Sequence, residues 1–96
     1  MQRFKIIVVE DEEECSKMLV GYIGRYCSDE GVDADIVTFP SADAFLKEYD
    51  RDADIVFMDI CMEGTDGMTA AHKLRLVDTE VMLIFVTTMA KFAVEG

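Results

Sequence analysis

The chain has 96 residues, 51% of them hydrophobic, which is enough for one small domain with a real core and leaves little room for a second. Nine Lys plus Arg stand against twenty Asp plus Glu, a formal charge of −11. That balance argues against this segment itself gripping nucleic acid or an anionic membrane, because phosphates would be repelled, and it suits a cation or a basic protein partner.

In chain order, four short apolar runs read as strands: residues 4–9 (FKIIVV), 34–39 (ADIVTF), 54–58 (DIVFM) and 81–86 (VMLIFV). The first, third and fourth are nearly continuous and rich in β-branched residues or Phe, the pattern of strands buried on both faces of a parallel sheet. The second has a more polar lead-in and is expected nearer an edge. Between the first two runs, Cys15, Met18, Leu19, Tyr22, Ile23, Tyr26 and Cys27 repeat at helical spacing, and Gly31 with residues 28–30 stops that helix. After the second run, Pro40-Ser41 starts another helix with Ser41 as N-cap, and Ala42, Phe45, Leu46 and Tyr49 form its apolar stripe. A loop over 61–67 precedes a helix at about 68–77, with Ala70, Ala71, Leu74 and Val77 expected to face inward. A further turn or helix is expected over 87–96.

No apolar run exceeds six residues, far short of the roughly 20 that span a bilayer, and the N-terminus lacks a signal-peptide layout. Cys15, Cys27 and Cys61 are an odd number without a CxxC pair. Neither a disulfide framework nor a zinc site is indicated, and a reduced, cytoplasmic setting is the default expectation.

Strands separated by single helices imply right-handed crossovers and an α/β fold, a doubly wound parallel sheet with helices on both faces. Open sheets of this kind place their sites at the carboxyl ends of the strands. There the sequence puts Glu10 and Asp11 after the first strand, Asp59 after the third, and Thr87 and Thr88 after the fourth. If the first, third and fourth strands are neighbours, three carboxylates and a hydroxyl meet. Carboxylates crowded together need a cation or shared protons. A hard divalent ion such as Mg²⁺, held by one or two carboxylates plus phosphate oxygens, resolves the crowding. Asp59 is then the candidate to attack phosphorus and form an aspartyl phosphate, with Thr87 donating to a phosphoryl oxygen. Read alone, Glu12, Glu13 and Glu14 are a solvated first turn of helix, suited to its dipole. Asp59 alone could equally cap a turn, and His72 reads as a surface residue. Cys15 and Cys27 read as core.

The segments KIIVVEDEEE, DADIVFMDICMEGTDGMTAAHKLR and VMLIFVTTMAKFAVEG resemble the receiver domain of bacterial two-component response regulators, over all 96 residues. The resemblance implies a flavodoxin-like sheet of order 2-1-3-4, with the family's fifth strand and helix lying beyond Gly96 and the domain incomplete at its C-terminus. By position, Asp59 matches the phosphoacceptor, Asp11 the direct Mg²⁺ ligand, Glu10 the second acid and Cys61 the residue whose backbone carbonyl binds the metal. Thr87 matches the switch hydroxyl. The implied partner is a sensor histidine kinase, and the implied output is DNA-binding transcription control through a separate domain, with MTAAHKLR and TTMAKFAVEG closest to LytTR-type regulators. The chain departs from the family at Glu63, where Pro is usual, and at Thr88, where a small residue is usual. It has no counterpart of the family's Lys, since Lys91 is too early. With no fifth strand to cover it, the fourth would be an apolar edge inviting self-association. The rival readings are a pseudo-receiver that serves only protein contacts and a Mg²⁺-dependent aspartyl phosphatase. The phosphatase pattern wants an Asp at position 61, where this chain has Cys.

Overall fold

The computed structural model describes residues 3–60 and 67–86. The element order is β1 (Phe4–Val9), α1 (Glu13–Asp29), β2 (Ala34–Phe39), α2 (Ala42–Glu48), β3 (Ile55–Asp59), α3 (Gly67–Val77) and β4 (Met82–Val86). All pairings are parallel and the strand order is β2-β1-β3-β4, so the polar-led β2 lies at an edge as its composition predicts. In register, Val9 pairs with Phe39 on one side and Met58 on the other, and Asp59 pairs with Val86. Compared with the sequence reading, β3 and β4 each begin one residue later, and β3 runs on to include Asp59.

The two sheet faces are covered unequally. On one, Ile7, Val9, Val56 and Met58 pack with Ala42 and Phe45 of α2 and Ala70 and Leu74 of α3. Ser41 caps α2 as expected, its Oγ accepting from the Ala44 N–H at 3.1 Å. Phe45 is fully buried, with ring centroids 5.7 Å from Phe39 and 5.0 Å from Tyr49. On the other face α1 is the covering helix among the described residues, with Ile23 and Cys27 against Ile6 and Val8. Only part of the α1 stripe turns inward. Met18, Tyr22 and Tyr26 are exposed, and Cys15 is only half-buried. One helix cannot cover a four-stranded face, and a groove of about 470 Å³ remains between Tyr22 and Tyr26 on α1 and Phe4, Ile55 and Phe57 on the sheet. Val77 is likewise exposed rather than inward, because α3 ends there and the chain turns away toward β4. Gly31, at φ 68°, reverses the chain after α1, a conformation that glycine adopts without steric cost.

A polar tie joins α2 to the α3–β4 turn. The Tyr49 hydroxyl donates to Asp78 Oδ2 at 2.6 Å, while Oδ1 accepts from the N–H groups of Glu80 and Val81 at 3.0 and 3.2 Å. These bonds, the one from Tyr49 foremost, hold the Asp78 carboxyl below its usual range. A lowered carboxyl contributes stability above its unfolded value, and that contribution is lost as the pH falls through the folded value. Tyr49→Phe is therefore expected to lower the melting temperature at neutral pH and to shrink the loss of stability on acidification. Melts by circular dichroism at about pH 7 and about pH 3 check both effects.

Candidate functional site

The ladder of β1 continues past Val9, since the Glu10 N–H donates to the Phe39 carbonyl at 3.1 Å. That bond holds Glu10 at the rim of the sheet, where it is only 3% exposed. Its carboxylate then turns back to the chain, and Oε2 accepts from the Glu12 N–H at 2.9 Å. Glu12, the N-cap of α1, makes no side-chain cap of its own, so Glu10 supplies an acceptor where α1 begins. Glu12, Glu13 and Glu14 are solvated, as the sequence predicts for a first helical turn. Asp11 sits between them and Glu10, at the solvent edge.

Asp59 comes from the neighbouring strand. It is the last residue of β3, fully buried, and fixed by pairing with Val86 and by the Ile60 N–H donating to the Val86 carbonyl at 3.1 Å. Because β1 and β3 are adjacent and parallel, their carboxyl ends coincide. Glu10, Asp11 and Asp59 each offer a carboxylate oxygen, and these oxygens lie within 4.8 Å of one another. The sequence-predicted trio is therefore assembled. Cys61 and Thr87, and with them Glu63, Thr88 and Lys91, lie outside the described residues. His72 is exposed on α3 and is not a member of the trio.

Crowding leaves its mark on protonation. The Glu10 carboxyl is pushed up to about 7, chiefly by burial, with the Glu12 N–H opposing and with hydrogen bonding to Asp11 and Asp59 and the Asp59 charge adding to the rise. The folded value lies above the ordinary one. Glu10's contribution to stability is thus fully present below about pH 4.5 and is lost as the pH rises through about 7. In the presence of a chelator, thermal stability is expected to fall between about pH 5 and about pH 8. Glu10→Gln should flatten that limb, and millimolar Mg²⁺ should reverse it in the unmodified protein.

The donor set fits a hard divalent cation. All three groups offer oxygen, and no His or Cys joins the cluster among the described residues, which disfavours zinc. A hollow of about 330 Å³ opens beside Glu10 and Asp11 toward Ser16, Thr38 and Pro40, and Asp59 is not among its walls.

Gly67 was not singled out by the sequence beyond its place in a loop. It is buried, opens α3, and donates its N–H to the Ile60 carbonyl at 3.1 Å, one residue from Asp59. The signal available was a glycine at the first position of a helix, where a better helix former would ordinarily stand.

The profile of the response regulator receiver domain matches residues 6–95. The chain belongs to the receiver domain family of response regulators. This receiver domain is 26% identical to the transcriptional regulatory protein RprY of Bacteroides fragilis over 98 residues, covering 99% of this chain. It is 32% identical to the transcriptional regulatory protein ResD of Bacillus subtilis over 73 residues, covering 74% of this chain. It spans 39% of the length of RprY and 28% of that of ResD. Among solved structures, a chain in the complex of histidine kinase ThkA with response regulator TrrA superposes with a TM-score of 0.67 at 26% identity, over 88% of this chain and 69% of that one. The receiver domain therefore has the flavodoxin-like architecture expected from its motifs, and its place is in two-component signalling. Among the described residues, no helix is long and apolar enough to cross a membrane.

Proposed function

We propose that residues 1–96 act as one phosphoacceptor domain, in which a histidine kinase transfers a phosphoryl group to Asp59 at a Mg²⁺ site formed by Glu10, Asp11 and Asp59. The observation that carries this reading is the convergence of three carboxylate oxygens within 4.8 Å at the carboxyl ends of two neighbouring strands. In the transfer an Asp59 oxygen bonds to phosphorus while the phosphorus–nitrogen bond to the kinase histidine breaks, and the imidazole leaves. Asp59 is held by the sheet, so little reorganisation is needed. Mg²⁺, when bound, would offset the charge between the carboxylate and phosphoryl oxygens. Asp11, at the solvent edge, is assigned as a direct ligand, and Glu10, more buried, as the second acid acting through water. The Cys61 carbonyl is assigned as a further ligand and Thr87 as the hydroxyl that turns onto the phosphoryl group.

The added charge and acceptor oxygens would bias two packings of the carboxyl-end surface, a population shift rather than turnover of an external substrate. The names of RprY and ResD support transcription control as the output. DNA contact is assigned to residues outside this domain, in keeping with the charge of −11, and the setting to the cytoplasm. The kinase partner is supported by the solved ThkA–TrrA complex. Self-association through β4 is part of the same reading, since Met82 and Phe85 are exposed on the outermost strand among the described residues.

The test uses an acyl phosphate as donor with millimolar Mg²⁺. Native mass spectrometry should show a gain of one phosphoryl group, and a chelator should prevent it. No gain in the presence of Mg²⁺ rejects the proposal.

A further inference from the structure

We propose that Gly67 is a positioning residue for Asp59, its missing side chain allowing the start of α3 to seat directly on the main chain that carries the phosphoacceptor. The inference rests on the assignment of Asp59 above. A β-carbon added at Gly67 would overlap the Asp59 carbonyl oxygen and would stand 2.8 Å from Ile60 Cα and 3.1 Å from the Asp59 carbonyl carbon. All three are backbone atoms and have no rotamer by which to yield.

Conformation is not what selects glycine here. Gly67 is helical, whereas Gly31 is the glycine with positive φ among the described residues. A helical site would ordinarily favour alanine. Gly21 and Gly24, within α1, make the contrast, since a β-carbon at either meets nothing within 4 Å. What selects glycine at 67 is close approach.

The main chain at 59–60 is thereby held from two sides. β4 holds it through the Asp59–Val86 pairing and the Ile60 N–H bond to Val86. Gly67 holds it through its N–H bond to the Ile60 carbonyl and through its bare α-carbon. A side chain at 67 must push either α3 outward or Asp59 away from it. The second response changes the position of the carboxylate relative to Glu10 and Asp11, and transfer chemistry is sensitive to shifts of about 1 Å, at roughly 100-fold per such misplacement.

Gly67→Ala and Gly24→Ala are compared with the unmodified protein. Should Gly67→Ala alone fail to fold, the same change is made on a Gly21→Ala, Gly24→Ala background, where better helix formers raise stability. Two readings are taken on folded protein. One is the rate of phosphoryl uptake from acetyl phosphate with Mg²⁺. The other is the NMR signals of the Asp59 and Ile60 amides and of the carboxyl carbons of residues 10, 11 and 59, without metal. The expected result is displaced signals at those residues and uptake at least about tenfold slower in Gly67→Ala, with Gly24→Ala at the unmodified rate. Unmoved signals, or an uptake loss no larger than the unfolded fraction, overturn the proposal. If the unmodified protein takes up no phosphoryl group, the assignment of Asp59 fails, and the NMR comparison alone decides whether Gly67 sets the position of that carboxylate.

Discussion

Replacing Asp59 by Asn is expected to abolish phosphoryl uptake, with no mass gain from acetyl phosphate at any Mg²⁺ concentration, while the fold survives. The amide nearly preserves the volume of the side chain but offers no anionic oxygen to phosphorus. Asp59 is fully buried at the end of β3 and lies with Glu10 and Asp11. Removing its charge also relieves the pressure on Glu10, whose raised value owes part of its rise to Asp59. The same variant should therefore keep or gain thermal stability above about pH 7 in the absence of metal, although it is inert to the phosphodonor. Asp11→Asn is expected to act differently, through the cation. Loss of even an outer partner of a metal ligand costs about 10- to 100-fold in affinity, and a direct ligand costs at least as much. Asp59 belongs to the same proposed Mg²⁺ site, so both variants lose cation affinity, and uptake at saturating Mg²⁺ separates them: it returns in Asp11→Asn and stays absent in Asp59→Asn. A variant at position 59 that still gains phosphate would move the acceptor elsewhere.

The largest stability effect is expected from Phe45→Ala. The ring is fully buried where α2 meets the sheet, between Phe39 and Tyr49 and in one cluster with Ile7, Val9, Met58 and Leu74. Removing a buried Phe costs about 3–5 kcal/mol, from lost transfer free energy and the cavity left behind. Small domains have total stabilities of about 5–15 kcal/mol, with short chains toward the lower end. The variant should thus approach half-unfolding near body temperature. Urea denaturation followed by circular dichroism measures the loss. A change under about 1 kcal/mol would mean that the core closes over the gap.

Much of this architecture is legible in the order of residues. The nearly continuous apolar runs of β1 and β3 imply the central strands, and the helices between them imply parallel pairing, whereas β4 reads as doubly buried but is outermost among the described residues, with Met82 and Phe85 exposed. Given that order, the meeting of Glu10, Asp11 and Asp59 follows, because neighbouring parallel strands end at one rim. What escaped the sequence has a physical reason in each case. The α1 stripe spans a wide arc, and periodicity alone does not say that Leu19, Ile23 and Cys27 face the sheet while Met18, Tyr22 and Tyr26 remain outside. That outcome depends on how many helices share the face. The tie between Tyr49 and Asp78 joins residues far apart in the chain, and neither carries a local signal for it. Gly67 reads as an ordinary loop glycine, because the atoms that exclude a side chain there belong to the backbone of Asp59 and Ile60, at the end of β3.

The acid trio draws its members from two strands zipped together along four residue pairs, Ile6 with Ile55 through Val9 with Met58. No local stretch of chain can preassemble such a cluster. It comes into being only when the central ladder closes, and it disperses when that ladder opens. Cation capture and global melting should therefore form one cooperative unit. In hydrogen–deuterium exchange, Mg²⁺ should slow the amides of the β1–β3 ladder by the same factor, strand centre and rim alike.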